Sequence, residues 1–326
     1  MTAADTTDAA LLQDRRDRVL AAMAAADLDV LVLGRQDDAN FASGMHRLWT
    51  AGTRPFGAGC IVVAATGRTH VLSSWDAGLP PTMSVDDLFP STWNPRVMAG
   101  HMSSVPGLAE ARRIGVDEVS PSFARAIARL APDAEIVPAD DVIARNRRHK
   151  SAEELELIRA ACAVAWAGVD AVLANPELAD PDRGVSGLIE AIAARGVTIP
   201  SSAPLVQRLP EGLAIDVGVM VAGYEGGVGG EFVDGRRRDT GDLWAACRPG
   251  ATHADLADAA SEEWLVRGLG MGWERPVLNG DLGFHETLEA GMVLSVTDGR
   301  RRDIVAVTDD APQLLSNRPE PKENRP

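Results

Sequence analysis

Around residue 150 the sequence changes its pattern, and that change points to a fold in two domains. Arg145 to Lys150 (RNRRHK) reads as a basic linker, and Ser151-Ala152-Glu153-Glu154 behind it is a capping box. In that motif a serine oxygen accepts a backbone N–H, while the carboxylate three residues on reaches back to the serine's own N–H. At 326 residues there is enough chain for two cores, because single cores rarely grow beyond about 250–300 residues. The expected division is residues 1–148, then 149–316, with the Pro- and charge-rich stretch 317–326 as a disordered tail.

Before the change, helices and strands alternate. Leu11 to Ala26 has the spacing of an amphipathic helix, and Leu28 to Leu33 (LDVLVL) reads as a buried strand stopped by Gly34. A short helix over Asp38 to Ala42 ends at Gly44. Gly59 to Ala64 and Thr69 to Ser73 read as strands paired around Thr66-Gly67-Arg68. Ile114 to Val116 and Glu135 to Val137 are short strands, and Ser122 to Leu130 is a helix opened by Ser120-Pro121. This alternation implies an α/β layer on a parallel or mixed sheet.

After the change, one helix runs to about Leu173 and a second covers Gly184 to Ala194. Gly212 to Ala222 is then a strand, with its hairpin partner from Tyr224 onward. Ala254 to Val266 is expected to be helical, and Met292 to Val296 and Ile304 to Thr308 to be strands. Helices beside long antiparallel strands make an α+β domain. The hexapeptide DGRRRD occurs twice, at Asp234–Asp239 and Asp298–Asp303. Its Asp-Gly start marks hairpin turns, with the arginines expected to be exposed at the tips.

The formal net charge of −15 argues against general affinity for nucleic acid or anionic membrane. Cys60, Cys162 and Cys247 form neither a C-x-x-C pair nor a disulfide framework, so a reducing cytoplasm is the simplest expectation. The N-terminus lacks the basic start and apolar stretch of a signal peptide. No apolar run approaches the ~20 residues of a membrane span.

Five segments in order resemble the creatinase, prolidase and aminopeptidase P superfamily, the M24 peptidases, over roughly residues 11–315. They are Asn40-Phe41-Ala42-Ser43-Gly44, the stretch from Lys150 to Arg159, Leu213 to Tyr224 (LAIDVGVMVAGY), Arg248-Pro249-Gly250-Ala251-Thr252, and Leu288 to Val296 (LEAGMVLSV). The resemblance implies a small α/β creatinase-like N-terminal domain. It also implies an α+β "pita-bread" domain whose curved antiparallel sheet cups an active site. In the family's peptidases that site holds two metal ions through Asp, Asp, His, Glu and Glu. Homodimers are common among its members.

Carried over residue by residue, the motif retains Asp216 as the first aspartate. Gly227 stands for the second, Leu269 for the histidine of G-H-G-x-G, Thr297 for the first glutamate and Arg302 for the last. Trp273-Glu274-Arg275-Pro276 resembles the following H-E-x-P, with Trp273 in place of a second histidine. Gly, Leu and Thr supply no useful electron pairs, and arginine is always cationic. Two divalent ions need several carboxylates to neutralise them and activate a hydroxide, so the expectation is no metal and no cofactor.

The candidate cleft is therefore Asp216, Tyr224, Glu225, Trp273, Glu274, Thr297 and Arg302. Two readings of Arg302 stand: a fixed cation paired with Asp216, or a turn arginine pointing to solvent. Glu225 is either a relocated ligand or a solvated hairpin glutamate, and Trp273 either a cavity wall or core. His46, His70, His101, His149, His253 and His285 have no ligand spacing and are expected to be structural. The same holds for Cys247, and Ser201-Ser202 lacks the G-x-S-x-G setting of a nucleophile. The expected function is a catalytically degenerate homologue that binds a small molecule, a peptide or a protein partner. The rival expectations are an active Xaa-Pro metallopeptidase and a metal-independent hydrolase or lyase with a rebuilt site.

Overall fold

The computed structural model describes residues 9–45, 59–73, 79–90, 92, 94–197, 200–239, 241–281 and 286–319. His46, His285 and the end of the expected tail lie outside the described residues. The chain divides into two compact units and passes from one to the other between Arg147 and Arg148.

In the first unit α1 (Ala9–Ala25) leads to β1 (Val30–Leu33), α2 (Gln36–Ser43), β2 (Cys60–Val63) and β3 (Arg68–Leu72). The chain continues through β4 (Leu88–Phe89), α3 (Pro95–Met102), β5 (Arg113–Val116), α4 (Pro121–Leu130), β6 (Glu135–Pro138) and α5 (Asp140–Arg148). The sheet order is β4-β3-β2-β1-β5-β6. It is mixed, since β1 is antiparallel to β2 and parallel to β5. All four residues of β1 are buried, as expected of a central strand covered on both faces. Gly44 closes α2 at φ +74°, the left-handed cap that glycine adopts without steric cost.

The basic stretch at Arg145 to Lys150 is not a linker, since α5 runs through it to Arg148. Arg147 is buried, with its guanidinium on Asp37 Oδ2 at 2.8 Å and on Asp38. A cation with two carboxylates for partners can be buried where a lone one could not. Each of the next three basic residues is held by an acid of the second unit. Arg148 Nη1 and His149 Nε2 reach Glu289 at 3.0 and 2.8 Å, and Lys150 Nζ reaches Glu274 at 2.7 Å.

The second unit opens on the expected capping box. Ser151 Oγ accepts from the Glu154 N–H, and Glu154 Oε2 accepts from the Ser151 N–H at 2.7 Å. The helix behind it, α6 (Ala152–Ala174), is long and apolar enough by length and composition to cross a membrane, a stretch the sequence reading passed over. In this fold its apolar positions, Ala161, Ala165, Val169 and Val172 among them, are buried in a core shared with the following helix and sheet.

The remaining elements are α7 (Pro181–Ala193), β7 (Leu205–Leu209), β8 (Gly212–Val221), β9 (Tyr224–Val233), β10 (Arg236–Arg237) and α8 (His253–Ala259). They are followed by β11 (Trp264–Gly270), β12 (Gly272–Asn279), β13 (Val293–Asp298), β14 (Arg301–Ala306) and β15 (Gln313–Leu314). The main path of the sheet is β12-β11-β13-β14-β9-β8-β7, and every pairing in it is antiparallel. Along β8 and β9, Ile215, Val217, Val219, Val228 and Phe232 are buried against α6 and α7. By the two-residue period of a strand, Asp216, Gly218, Glu225, Gly227 and Gly229 turn to the opposite face. That face is concave. Arg267 on β11 reaches Glu225 on β9 at 2.7 Å, although β13 and β14 lie between those strands in the sheet.

Two expectations fail here, and two strands were missed. The helix read over Ala254 to Val266 stops at Ala259, and the chain returns as β11 from Trp264. Between them the N–H groups of Ser261 and Glu262 donate to the Asp298 carboxylate, a long-range partner that no local pattern shows. Strands β7 and β12 were not anticipated. The DGRRRD copies are both hairpin turns, but in different registers. Asp234-Gly235 forms the first loop, with φ +48° and +73° and Val233 opposite Arg236. In the second copy Gly299-Arg300 forms the loop, and Asp298 lies opposite Arg301. Arg236 and Arg300 are exposed as expected, but Arg302 is buried and Arg237 and Arg301 are half-buried.

Candidate functional site

A single cross-strand row organises the concave face. Thr297 lies opposite Arg302, Arg302 opposite Gly229, and Gly229 opposite Asp216. Because the middle member has no side chain, the guanidinium passes over it. Arg302 Nε donates to Asp216 Oδ2 at 2.9 Å and Nη2 to Oδ1 at 2.7 Å. This is the two-pronged geometry in which arginine binds a carboxylate best. A Cβ on Gly229 would stand 2.3 Å from Asp216 Oδ2, so the pair depends on that glycine.

Gly227, one pleat further along, is also filled from outside. A Cβ there would lie 3.0 Å from Arg302 Cζ and Nη2 and 2.8 Å from Val217 O. The guanidinium thus occupies the space into which a side chain at position 227 would grow. Gly227→Ala is expected to destabilise the chain by about 1–3 kcal/mol, the usual cost of overpacking. Urea unfolding of wild type and variant checks it.

The Arg302 side chain is 9% exposed and that of Asp216 30%. Burial pushes the Asp216 carboxyl above the ordinary carboxylate range, and the Arg302 guanidinium pulls it the other way. On the other side of the strand, burial also presses on Asp303, but Arg237 and Arg301 outweigh it and hold that carboxyl below its usual value. Arg237 Nη1 and Arg301 Nε lie 2.8 and 2.6 Å from its oxygens. The two hexapeptides thus meet at Asp303 and supply three arginines to two buried or half-buried acids.

A second ion pair crosses the face. Glu225 Oε1 accepts from Arg267 Nη2 at 2.7 Å and from Ser201 Oγ at 3.2 Å, and the carboxylate and guanidinium side chains are 4% and 6% exposed. Glu225 is neither solvated nor free to ligate a metal. The Arg267 guanidinium also lies 4.6 Å from the centre of the Trp273 ring, within cation–π range. Trp273 itself is 57% exposed; it is a surface wall and not core.

Glu274 turns to Lys150, and their side chains are 9% and 1% exposed. Tyr224 is buried and donates its hydroxyl to Glu154 Oε1, which ties the β8–β9 hairpin to the capping box of α6. It is a positioning residue for that hairpin. Thr297, half-buried, completes the row beside Arg302. The face therefore brings Asp216, Arg302, Thr297 and Glu225 together, while Tyr224 and Glu274 are occupied elsewhere.

Reading from sequence missed Arg267, the role of Lys150 and the buried Ser295 on β13, and it weighed Ser201 only as a nucleophile. A signal for one of them exists: Arg267 interrupts the alternating WLVRGLG tract, where a charge on a strand needs a partner. Among the described histidines, His253 has the structural role expected of it. His253 Nε2 lies 2.7 Å from Asn279 O, and its ring rests on Trp264. All three cysteines are buried. Burial pushes the Cys162 and Cys247 thiols up to about 12, so neither is a ready thiolate.

The residues present do not fit a dinuclear metal centre. Gly227, Leu269 and Thr297 offer no carboxylate or imidazole at the matching positions. Arg302 brings a permanent positive charge into bonding contact with the one matching acid. Among the described residues no three His, Cys, Asp or Glu side chains are grouped to hold a metal ion.

Residues 15–149 match the Creatinase/Prolidase N-terminal domain family, so the first unit is a domain of that kind. The chain as a whole shares its fold with solved prolidase and X-Pro aminopeptidase structures. It superimposes on prolidase from Pyrococcus furiosus with a TM-score of 0.67 and 18% identity, covering 93% of this chain and 99% of that one. X-Pro aminopeptidase from Thermotoga maritima gives 0.66 at 14% identity, covering 92% and 99%. Dipeptidase PepE from Mycobacterium ulcerans gives 0.62 at 20% identity, covering 96% and 98%. At these identities the likeness is one of fold. No curated protein matches the sequence.

Proposed function

We propose that this chain is a prolidase-fold protein that has given up metal-dependent hydrolysis and keeps the concave face of its second unit as a binding surface for a small ligand. One observation carries the reading: Arg302 grips Asp216 with two hydrogen bonds across Gly229. A divalent ion seated on Asp216 would have to displace a hydrogen-bonded cation and then find its other ligands among glycine, leucine and threonine. The like charge of the guanidinium would oppose the ion at every step.

A metal-independent reaction built from the same residues is less well supported. Glu225 is locked to Arg267 and Tyr224 to Glu154, which removes two of the groups such a site would use for proton transfer. The proposal is tested by elemental analysis of the purified chain, with and without added Mn, Co, Zn or Fe, and by assay of Xaa-Pro dipeptides. The expected result is no stoichiometric metal and no hydrolysis. Stoichiometric metal together with turnover of an Xaa-Pro peptide would overturn it.

A further inference from the structure

We propose that the first unit has a binding pocket of its own, governed by Arg16 and Arg68, for a small organic monoanion: a carboxylate on a short aliphatic body. Its lining residues all lie between Leu12 and Asp87, so it shares none of them with the concave face of the second unit. The pocket is a cavity of about 310 Å³, at the lower end of the range of small-molecule sites, about 300–1,000 Å³. It lies between α1, the end of α2, the start of β3 and the segment from Pro81 to Asp87.

The turn between β2 and β3 brings two guanidinium groups to this cavity. Arg16 Nε donates to Gly67 O at 2.7 Å, joined there by Nη2, and the next residue in the chain is Arg68. Arg68 Nε and Nη2 lie 2.8 and 2.6 Å from Asp87 Oδ1. Each arginine thus closes Nε and Nη2 on a single oxygen, which fixes the plane of its guanidinium. Neither Nη1 makes a hydrogen bond to a described residue. Since arginine has five N–H donors, both Nη1 protons of each remain for a ligand.

Asp87 is the one acid among the lining residues, and it is already occupied: Oδ1 holds Arg68 and Oδ2 accepts the Ser84 N–H at 3.0 Å. Two guanidinium groups against one carboxylate leave the lining with one positive charge, in a chain whose formal net charge is −15. A single negative charge on the ligand completes that balance, and a second would find no cation to meet it. Thr69, buried, and Thr82, half-buried, also line the cavity, and neither hydroxyl has a hydrogen-bond partner among the described residues. Guanidinium and hydroxyl donors together suit carboxylate oxygens. Leu12, Ala42 and Met83 give the cavity an apolar wall, which a bare inorganic anion would leave uncovered and a short hydrocarbon chain would cover.

The test is titration of the full chain with sodium butyrate, followed by calorimetry and by ligand-observed NMR, with inorganic phosphate and n-butanol as comparison probes. Butyrate is expected to bind saturably with a Kd on the order of millimolar, as suits so small a ligand, and each comparison probe at least about tenfold more weakly, because each lacks half of the match. Arg16→Gln, which removes one cation, should weaken butyrate binding by about tenfold or more, the worth of a hydrogen bond to a charged group. Thr82→Phe, which fills the cavity from a half-buried position, should abolish it. Circular dichroism shows which variants keep the fold, and either one that does is sufficient, alongside the probe comparison on wild type. No saturable butyrate binding, binding unchanged in a folded variant, or phosphate or n-butanol binding as well as butyrate would overturn the proposal.

Discussion

Arg267→Met is expected to lower the stability of the chain by about 3–5 kcal/mol, the range for breaking a buried ion pair by removing one partner. The substitution keeps roughly the length of the side chain and removes only the charge and its donors. Glu225 would then retain a single contact, the Ser201 hydroxyl at 3.2 Å, in a position where its side chain is 4% exposed. An ionised carboxylate left there without a cation is the costly species, and the ring of Trp273 loses the guanidinium beneath it as well. The double variant Glu225→Leu/Arg267→Met should recover most of the loss, because replacing both partners by apolar groups removes the uncompensated charge. Urea unfolding of the two single variants and the double variant gives the coupling directly. Additive losses would show that the two side chains do not act as a pair.

Arg302→Met is expected to cost about 3 kcal/mol, the lower end of the same range, because the Asp216 side chain keeps 30% of its surface exposed to water. Its dependence on pH follows from the direction of the Asp216 shift. Burial already raises that carboxyl above its unfolded value of 3.8, and removal of the guanidinium raises it further. A carboxyl whose folded pKa lies above the unfolded one weakens folding progressively as pH rises between the two values, and it has no effect below the lower one. The stability lost in Arg302→Met should therefore be larger at pH 8 than at pH 4. Asp216→Asn in the same background should remove that pH dependence and restore part of the stability. The same Asp216→Asn change should destabilise wild type more than it destabilises Arg302→Met; equal effects would mean that the pair has no energetic coupling.

Much of the framework was legible because it rests on local rules. Ser151-x-x-Glu154 specified a helix start, Gly44 a helix stop, and Asp234-Gly235 a hairpin turn, each from interactions within a few residues. The apolar runs of β1 and β8 marked central strands. Asp216 and Arg302 were also legible as candidates, since the resemblance gave each a position in one cavity. Whether they touch was not, because the contact depends on Gly229 being the residue between them in the row.

The parts that escaped depend on partners far away in the chain. The basic run at 145–150 has the composition of a solvated linker, yet Asp37 and Asp38 together hold Arg147, Glu289 holds Arg148, and Glu274 holds Lys150. Trp264 to Val266 continues a helix-forming stretch, but pairing with β13 and the Asp298 carboxylate turns it into a strand. Arg267 finds Glu225 only because the sheet curls until β11 and β9 face each other. Local sequence pattern determined the two kinds of layer and the chain turns, since these need only residue identity and short-range geometry, and the family resemblance gave the shortage of metal donors at the matching positions. The tertiary structure alone decided that Arg237 and Arg301, one from each DGRRRD copy, converge on Asp303 while Arg302 turns to Asp216, because successive residues of a strand point to opposite faces of the sheet.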